Sequence, residues 1–220
     1  MPGDELEIGV HVGPGGRGLV TTPAAAKIYR SDGRRAAQRH RLFVASGAVL
    51  EWLPQETIVF DGALIDLDTR VDLEPGAIFV GWDAQCFGRP AIGERFTTGR
   101  CRNRFEVHVG ATPLYVDRAI LEGGSRVLSA SHGLAGHCAS GTMLVVGAGR
   151  PLVDVARAAL AASPSGAYAS ATQLGQGDVL ACRYLGPSAS RAREAFASVW
   201  AAVRPSVLGR VAVPPRIWST

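Results

Sequence analysis

The first half of the chain alternates apolar and polar residues, and this pattern strongly restricts its fold. Leu6, Ile8, Val10 and Val12 alternate with polar or small residues, which is the period of a strand with one buried face. The turn GPGGRG (13–18) then ends this segment. Further apolar, strand-like segments occupy residues 19–22, 41–44, 58–60, 63–71, 77–81, 105–109 and 114–121. The sequence therefore predicts a mainly β fold.

Glycine and proline residues separate these strand-like segments. The 220 residues include 27 glycines and 13 prolines, which indicates many turns and many short strands. Hydrophobic residues make up 47% of the chain, enough for a substantial core, which excludes a disordered protein. We expect one domain over residues 1–220, with a β-rich part (1–141) and an α+β part (142–220).

Two helices are predicted in the C-terminal third. Residues 151–162 begin with proline and carry one apolar face. Residues 189–203 place Phe196, Val199, Trp200 and Val203 on one helical face, and Pro205 is expected to stop this helix. Between the helices, residues 166–174 and 178–185 are predicted to form a hairpin around the turn 175–177. The apolar tail (211–218) is expected to dock through Ile217 and Trp218.

The segment LEWLPQETIVFDGA (50–63) combines an acid, a tryptophan and a proline before an apolar run. Pro54 cannot donate to a sheet ladder, so it belongs at an edge, a bulge or a strand start. Taken alone, the segment predicts an edge strand whose Glu51 faces water, since acids are mostly exposed. Because the neighbours of Glu51 in the sequence are apolar, a buried Glu51 is the alternative prediction.

The charge pattern bears on nucleic-acid binding. The net charge is +4, from 23 basic and 19 acidic residues. The one local basic cluster lacks the interleaved aromatic residues on which nucleic-acid bases stack. A solvated turn or a protein-binding face is therefore favoured, while the pI of about 9.2 keeps a basic nucleic-acid-binding β-protein as the alternative function. The cluster consists of Arg30, Arg34, Arg35, Arg39 and Arg41.

The spacing of the cysteines and the hydropathy of the chain bear on the cellular compartment of the protein. Cys86, Cys101, Cys138 and Cys182 are widely spaced, without a CxxC pair, which does not fit a disulfide framework. No signal-peptide core and no apolar run long enough to cross a bilayer is present in the sequence. We expect a cytoplasmic protein in a reducing environment, with no membrane partner.

Motifs for common chemistries are incomplete. GAG (147–149) lacks the third glycine of a dinucleotide site, GPGGRG lacks the end of a phosphate loop, and no GxSxG occurs. His132, His137 and Cys138 lie close in sequence near Ser131, and imidazole and thiolate suit nickel or zinc. Their spacing matches no closed zinc site, so a surface loop is favoured and a metal-dependent hydrolase is a third hypothesis.

Several acids lie in apolar or conformationally restricted segments. Asp83 follows Trp82, Asp117 follows an apolar run, and Asp4 precedes the first strand. A buried carboxylate costs several kcal/mol unless it is paired or binds a metal. Glu94 is expected to form a structural ion pair with Arg89, Arg95 or Arg100. Oxygen ligands along a path would hold a divalent cation loosely, whereas a closed thiolate site would trap it.

Four segments resemble one protein family in order and spacing. They are LEWLPQETIVFDGA (50–63), TTPAAAKIYR (21–30), FGRPAIGERFTTG (87–99) and PPRIW (214–218). With these segments the chain resembles the UreD family, also called UreH, of urease accessory proteins, from its first residues to its last.

The resemblance implies a cytoplasmic, non-enzymatic metallochaperone scaffold. Its expected fold is stacked β-sheets in a β-helix-like arrangement, with two helices in the C-terminal third. The implied function is nickel insertion into urease, with UreF, UreG (through UreF) and apo-urease as partners. No tightly bound cofactor is expected, only transient nickel(II). The acids that match family positions on a nickel route are Asp83, Asp117 and Asp4.

The chain departs from the family at its start. Family members usually carry some fifty residues before the motif that Pro2-Gly3-Asp4 resembles. We expect either a misassigned start codon or the loss of opening strands, and loss would expose sheet edges. Ala26 also replaces a small hydroxyl residue that related sequences often carry.

Overall fold

A computed structural model describes residues 2–162, 167–175 and 178–219 of the chain. The fold is mainly β with two helices in the C-terminal part, as the sequence and the resemblance predicted. The strands are β1 (Glu5–Val12), β2 (Arg17–Val20), β3 (Ala26–Ile28), β4 (Ala36–Val44), β5 (Val49–Trp52), β6 (Thr57–Val59), β7 (Leu64–Leu73), β8 (Ile78–Arg89), β9 (Glu94–Arg95), β10 (Arg100–Val109), β11 (Thr112–Glu122), β12 (Ala139–Val146), β13 (Tyr168–Leu174) and β14 (Val179–Gly186). The helices are α1 (Val153–Ala161) and α2 (Ala189–Leu208).

Strands β1 to β8 and β10 form solenoid-like stacked coils of about three turns, and β9 pairs antiparallel with the end of β8. Strands β1, β4, β7 and β10 stack in parallel on one side, and β11 closes this five-stranded sheet antiparallel to β10. On the other side, β2 and β5 stack in parallel onto the first half of β8, while β3 and β6 stack onto its second half. Strand β8 therefore joins two columns of short strands into one sheet.

The C-terminal part extends that second sheet. Strand β12 pairs antiparallel with β8, β14 pairs with β12, and β13 forms the outer edge. Helix α2 packs on β8, β12 and β14, and α1 packs on α2. Alternation along β8 explains this layering, because Val80, Trp82 and Ala84 face the helices, while Asp83 and Gln85 face the five-stranded sheet.

Helix α2 is longer than the sequence predicted, because Pro205 lies inside it. A proline this close to a helix end removes a single backbone donor, and the turn after it is held by other contacts. Gly209 in the left-handed conformation donates its N–H to the Pro205 carbonyl (3.0 Å), and Leu208 is buried. The predicted hairpin is present as β13 and β14, although Gly166, Gln176 and Gly177 lie outside the described residues.

Glu51 is buried, so the expectation of a water-facing acid on an edge strand was wrong. Strand β5 lies between β2 and β8, and Glu51 pairs with Arg204 of α2. The tail docks as predicted for Trp218, whose indole N–H donates to Thr21 Oγ1 (2.9 Å) and whose ring packs against Trp82 and Trp200. Glu94 forms its expected structural ion pair with Arg89 (Nε to Oε2, 3.1 Å).

Asp61 joins two coils of the solenoid and makes the stability sensitive to acid. Burial alone would raise its pKa, but the backbone N–H groups of Thr98 (2.8 Å) and Thr97 (2.7 Å) and both hydroxyls lower the pKa of Asp61 to about 2. Because this value lies below the ordinary 3.8, ionised Asp61 stabilises the fold above about pH 4, and that contribution disappears as the pH falls towards 2.

We expect Asp61→Asn to be less stable than the wild-type protein at neutral pH and to lose less stability between about pH 4 and pH 2. Urea unfolding at a series of pH values measures the difference. Glu122→Gln, at an exposed position at the end of β11, is the control and should follow the wild-type curve. A parallel loss of stability in Asp61→Asn and wild type would contradict the role given to this carboxylate.

Candidate functional site

A cavity of about 710 Å³, lined by both polar and apolar side chains, lies between the two sheets. The pairing register explains how it forms, because Asp83, Thr142, Arg183 and Ser170 stand opposite one another on β8, β12, β14 and β13. These four side chains line the cavity from one sheet. From the other sheet, Asn103 of β10 and Asp117 of β11 line it.

The cavity lies between two clusters of the apolar core. On one side, Phe79 and Phe105 belong to one core cluster, and on the other side Phe87 belongs to another. A polar layer between two apolar layers is unfavourable unless its groups are hydrogen-bonded or hydrated. The residues of this layer therefore need either protein partners or an aqueous occupant.

Asp83 is the most enclosed acid of the cavity. Burial raises its pKa, a hydrogen bond from Asn103 Nδ2 (3.2 Å) acts in the opposite direction, and the charge of Asp117 raises the pKa further. Its side chain is still accessible from the cavity. Burial therefore favours the protonated form of Asp83, whereas the hydrogen bond from Asn103 favours the carboxylate.

Asp117 is held by partners from both sheets. Its Oδ2 lies 2.9 Å from Arg183 Nη1, and the hydroxyl of Tyr115 donates to the same oxygen at 3.4 Å. Arg183 Nη2 in turn donates to the Tyr115 hydroxyl oxygen at 2.8 Å. Because Asp117 affects the pKa of Asp83, the two carboxylates interact electrostatically.

The donor atoms of the cavity are mainly oxygens. Cys101 also lines it, but burial, and then the charge of Asp83, raise the pKa of its thiol, which stays protonated. Within the described part of the chain, Asn103 Oδ1 is buried without a hydrogen-bond partner. Among the same residues, no three His, Cys, Asp or Glu side chains are grouped to hold a metal ion. The chemistry therefore suits loose binding of a hydrated hard or borderline cation rather than a closed site.

Asp4 does not share this cavity. It is exposed at the start of β1 and lines a smaller cavity of about 200 Å³ with Tyr29 and Lys27. The structure brings Asp83 and Asp117 together but leaves Asp4 apart from them. The metal role of all three acids stays a prediction.

The histidine and cysteine cluster is divided between two cavities. His132 lines the cavity of Asp83, whereas His137 and Cys138 line a neighbouring one of about 660 Å³. A hydrogen bond from the Cys86 thiol lowers the pKa of Cys138 to about 7. Among the described residues, no three His, Cys, Asp or Glu side chains are grouped to hold a metal ion, so these three side chains do not form a metal-dependent hydrolase centre.

The basic cluster is compensated by acids. Each of its five arginines forms an ion pair with a carboxylate, which leaves no uncompensated basic patch at these positions. The pairs are Arg30–Asp61, Arg34–Asp32, Arg35–Asp66, Arg39–Glu5 and Arg41–Asp68. Among the described residues, neither helix combines the length and the apolar character needed to cross a membrane.

Sequence reasoning missed Asn103 and Arg183 as site residues. Cys101, Asn103 and Phe105 alternate with more exposed residues on β10, so the strand pattern could have assigned Asn103 to the inner face. No sequence signal could have placed Arg183 beside Asp117, because this contact depends on how the edges of two sheets approach each other.

These features define a β-solenoid protein with a helical cover and a carboxylate-lined cavity between its sheets. The family model described as UreD urease accessory protein matches residues 1–219. The chain belongs to the UreD family of urease accessory proteins, and the resemblance found in the sequence is confirmed.

Curated relatives support the same assignment. A urease accessory protein UreD of Acaryochloris marina is 44% identical over 218 residues, which cover 98% of this chain and 76% of that protein. The UreD of Dechloromonas aromatica is 43% identical over 221 residues (99% and 76%). The UreD of Nitrosococcus oceani is 42% identical over 219 residues (99% and 72%).

Proposed function

We propose that this protein is a non-enzymatic accessory protein in the cytoplasm that promotes urease maturation by passing nickel(II) towards apo-urease. Membership of the UreD family supports the role in urease maturation. Nickel is the cargo of this proposal, and the protein needs no resident cofactor for it.

The observation that carries the proposal is the meeting of Asp83 and Asp117 in one cavity. The two acids lie on β8 and β11, in different sheets, and both line the space between those sheets. Two carboxylates without a complete ligand set attract a divalent cation electrostatically but do not enclose it. Such a site binds nickel weakly enough to release it.

The size of the cavity suits a hydrated ion. A volume of about 710 Å³ corresponds to roughly twenty water molecules at liquid density. Its polar side chains favour water, because Asn103 Oδ1 otherwise lacks a partner within the described residues. A nickel ion could therefore keep most of its water ligands, which avoids the large cost of desolvating a cation in a protein interior.

The direct test replaces Asp83. We expect Asp83→Ala to leave the fold intact, because the side chain faces the cavity, where water can replace it as the acceptor for Asn103 Nδ2. Urease matured with this variant in a urease-expressing host should load nickel about tenfold more slowly, the lower range seen when groups that support a metal ion are removed. Elemental analysis of purified urease gives the nickel content, and circular dichroism checks the fold.

Asp154→Ala is the matched control, since it removes one acid from an exposed position of α1. It should support normal nickel loading. Normal loading with a folded Asp83→Ala protein would exclude Asp83 from the nickel route.

The partner proposal is tested separately. We propose that the protein binds UreF and, through UreF, UreG, and that this assembly docks on apo-urease. A tagged full-length protein purified from a urease-positive host should retain UreF and UreG, while the tag alone should retain neither. Recovery of neither partner would contradict the proposed assembly.

A further inference from the structure

We infer that Arg183 is a built-in counter-cation at Asp117, which a divalent cation must displace before both carboxylates of the cavity can bind it. This inference rests on the proposed passage of a divalent cation through the cavity. It assigns Arg183 a role in controlling the affinity of the site.

The hydrogen bonds of Arg183 show how it occupies the position. Its Nη1 lies 2.9 Å from Asp117 Oδ2, and its Nη2 donates to the Tyr115 hydroxyl oxygen at 2.8 Å. The guanidinium also lies 6.0 Å from the centre of the Tyr115 ring. One side of the Asp117 carboxylate is therefore already taken by a positive charge.

The register shows that Arg183 spans the cavity. Arg183 stands opposite Thr142, and Thr142 stands opposite Asp83, so Arg183 comes from the sheet that carries Asp83. Asp117 belongs to the facing sheet. The guanidinium thus extends from one sheet to the other, across the space that a cation held by both acids would use.

The exposure of the two side chains indicates how Arg183 can move away from Asp117. The Arg183 side chain is 55% exposed, whereas that of Asp117 is 24% exposed. The guanidinium is on the solvent side of the pair, so rotation of its side chain can release Asp117 without opening either sheet. A partly exposed ion pair contributes little to stability, which keeps this release inexpensive.

Release of Arg183 changes the net charge of the site in favour of a divalent cation. With Arg183 in place, Asp83 and Asp117 face one guanidinium, and an ionised site has a net charge of −1. With Arg183 turned to solvent, two carboxylates balance one divalent cation. By contrast, ion pairs such as Arg41–Asp68 do not line this cavity and cannot act in this way.

The test is isothermal titration calorimetry, in which nickel(II) chloride is added to the full-length protein at constant ionic strength. A partly exposed ion pair gives only a modest stabilisation, so its removal should have a modest effect. Arg183→Gln, which removes the charge and keeps a polar side chain, should therefore bind nickel about three- to fivefold more tightly than the wild-type protein. Asp117→Asn should bind more weakly.

Arg102→Gln is the matched control, because it removes one positive charge from an exposed position on β10 outside the cavity lining. It should leave nickel affinity unchanged. The double variant Arg183→Gln/Asp117→Asn should lose the gain of the single Arg183 variant, which shows that the gain acts through Asp117. Circular dichroism checks that each variant folds.

Wild-type affinity in Arg183→Gln, or an equal gain in Arg102→Gln, would overturn the inference. Undetectable nickel binding in all variants would also overturn it, since no cation would then compete with Arg183. The proposed function has a different criterion, the nickel content of urease matured with Asp83→Ala, so the two can fail independently.

Discussion

Glu51→Ala is expected to destabilise the protein by about 3–5 kcal/mol, the usual cost of removing one partner from a buried ion pair. Glu51 is 4% exposed, and its Oε2 accepts hydrogen bonds from Arg204 Nε (2.8 Å) and Trp200 Nε1 (2.6 Å). Its Oε1 accepts a further bond from Arg204 Nη2 (2.9 Å). Alanine would leave the guanidinium and the indole N–H without these acceptors, beneath α2.

Urea unfolding followed by far-ultraviolet circular dichroism measures this loss. Glu194→Ala, at an exposed position of the same helix, is the control and should change stability by no more than about 0.5 kcal/mol. The double variant Glu51→Leu/Arg204→Leu should be more stable than Glu51→Ala, because it buries no unpaired charge. An unchanged unfolding midpoint in Glu51→Ala would contradict the structural role of this pair.

Trp82→Ala is expected to cost about 3–5 kcal/mol, since it removes a large side chain from a packed core. Trp82 is 1% exposed, and its ring centre lies 6.3 Å from that of Phe196 and 5.7 Å from that of Trp218. Its indole N–H donates to the Pro54 carbonyl at 2.8 Å. The substitution would therefore weaken the contacts of α2 and of the C-terminal tail with β8.

The control for Trp82 is its neighbour in the sequence. Asp83→Ala changes the adjacent residue, but that side chain faces the cavity instead of the helices, so its stability should stay close to wild type. Chemical unfolding of the two variants side by side measures the contrast. Equal losses of stability would show that the two faces of β8 do not have the separate roles assigned here.

The strands were largely predictable because their signal is local. Alternation in Glu5–Val12 and along residues 105–109 follows from a strand having one buried face, and each segment shows it without reference to distant residues. The end of α2 was less predictable. Proline disfavours a helix interior, but the buried Leu208 and the Gly209 cap stabilise the last turn, and those contacts are tertiary.

The environment of Glu51 was not predictable from its own segment. Arg204, the residue that makes its burial tolerable, lies 153 positions further along the chain. Local composition favoured exposure because an unpaired acid avoids the interior. Only the packing of α2 on β8 supplies the opposite charge that reverses this preference.

The family, the mainly β fold with two C-terminal helices, and the interest of Asp83 and Asp117 could all be inferred from the amino-acid sequence. These properties follow from motifs and from patterns within single segments. The three-dimensional arrangement was needed to show that Asp83 and Asp117 share one cavity, that Asp4 lies elsewhere, and that Arg183 reaches Asp117. The physical reason is that lateral strand register and the spacing between sheets bring together residues that are distant in sequence, and no local pattern encodes those distances.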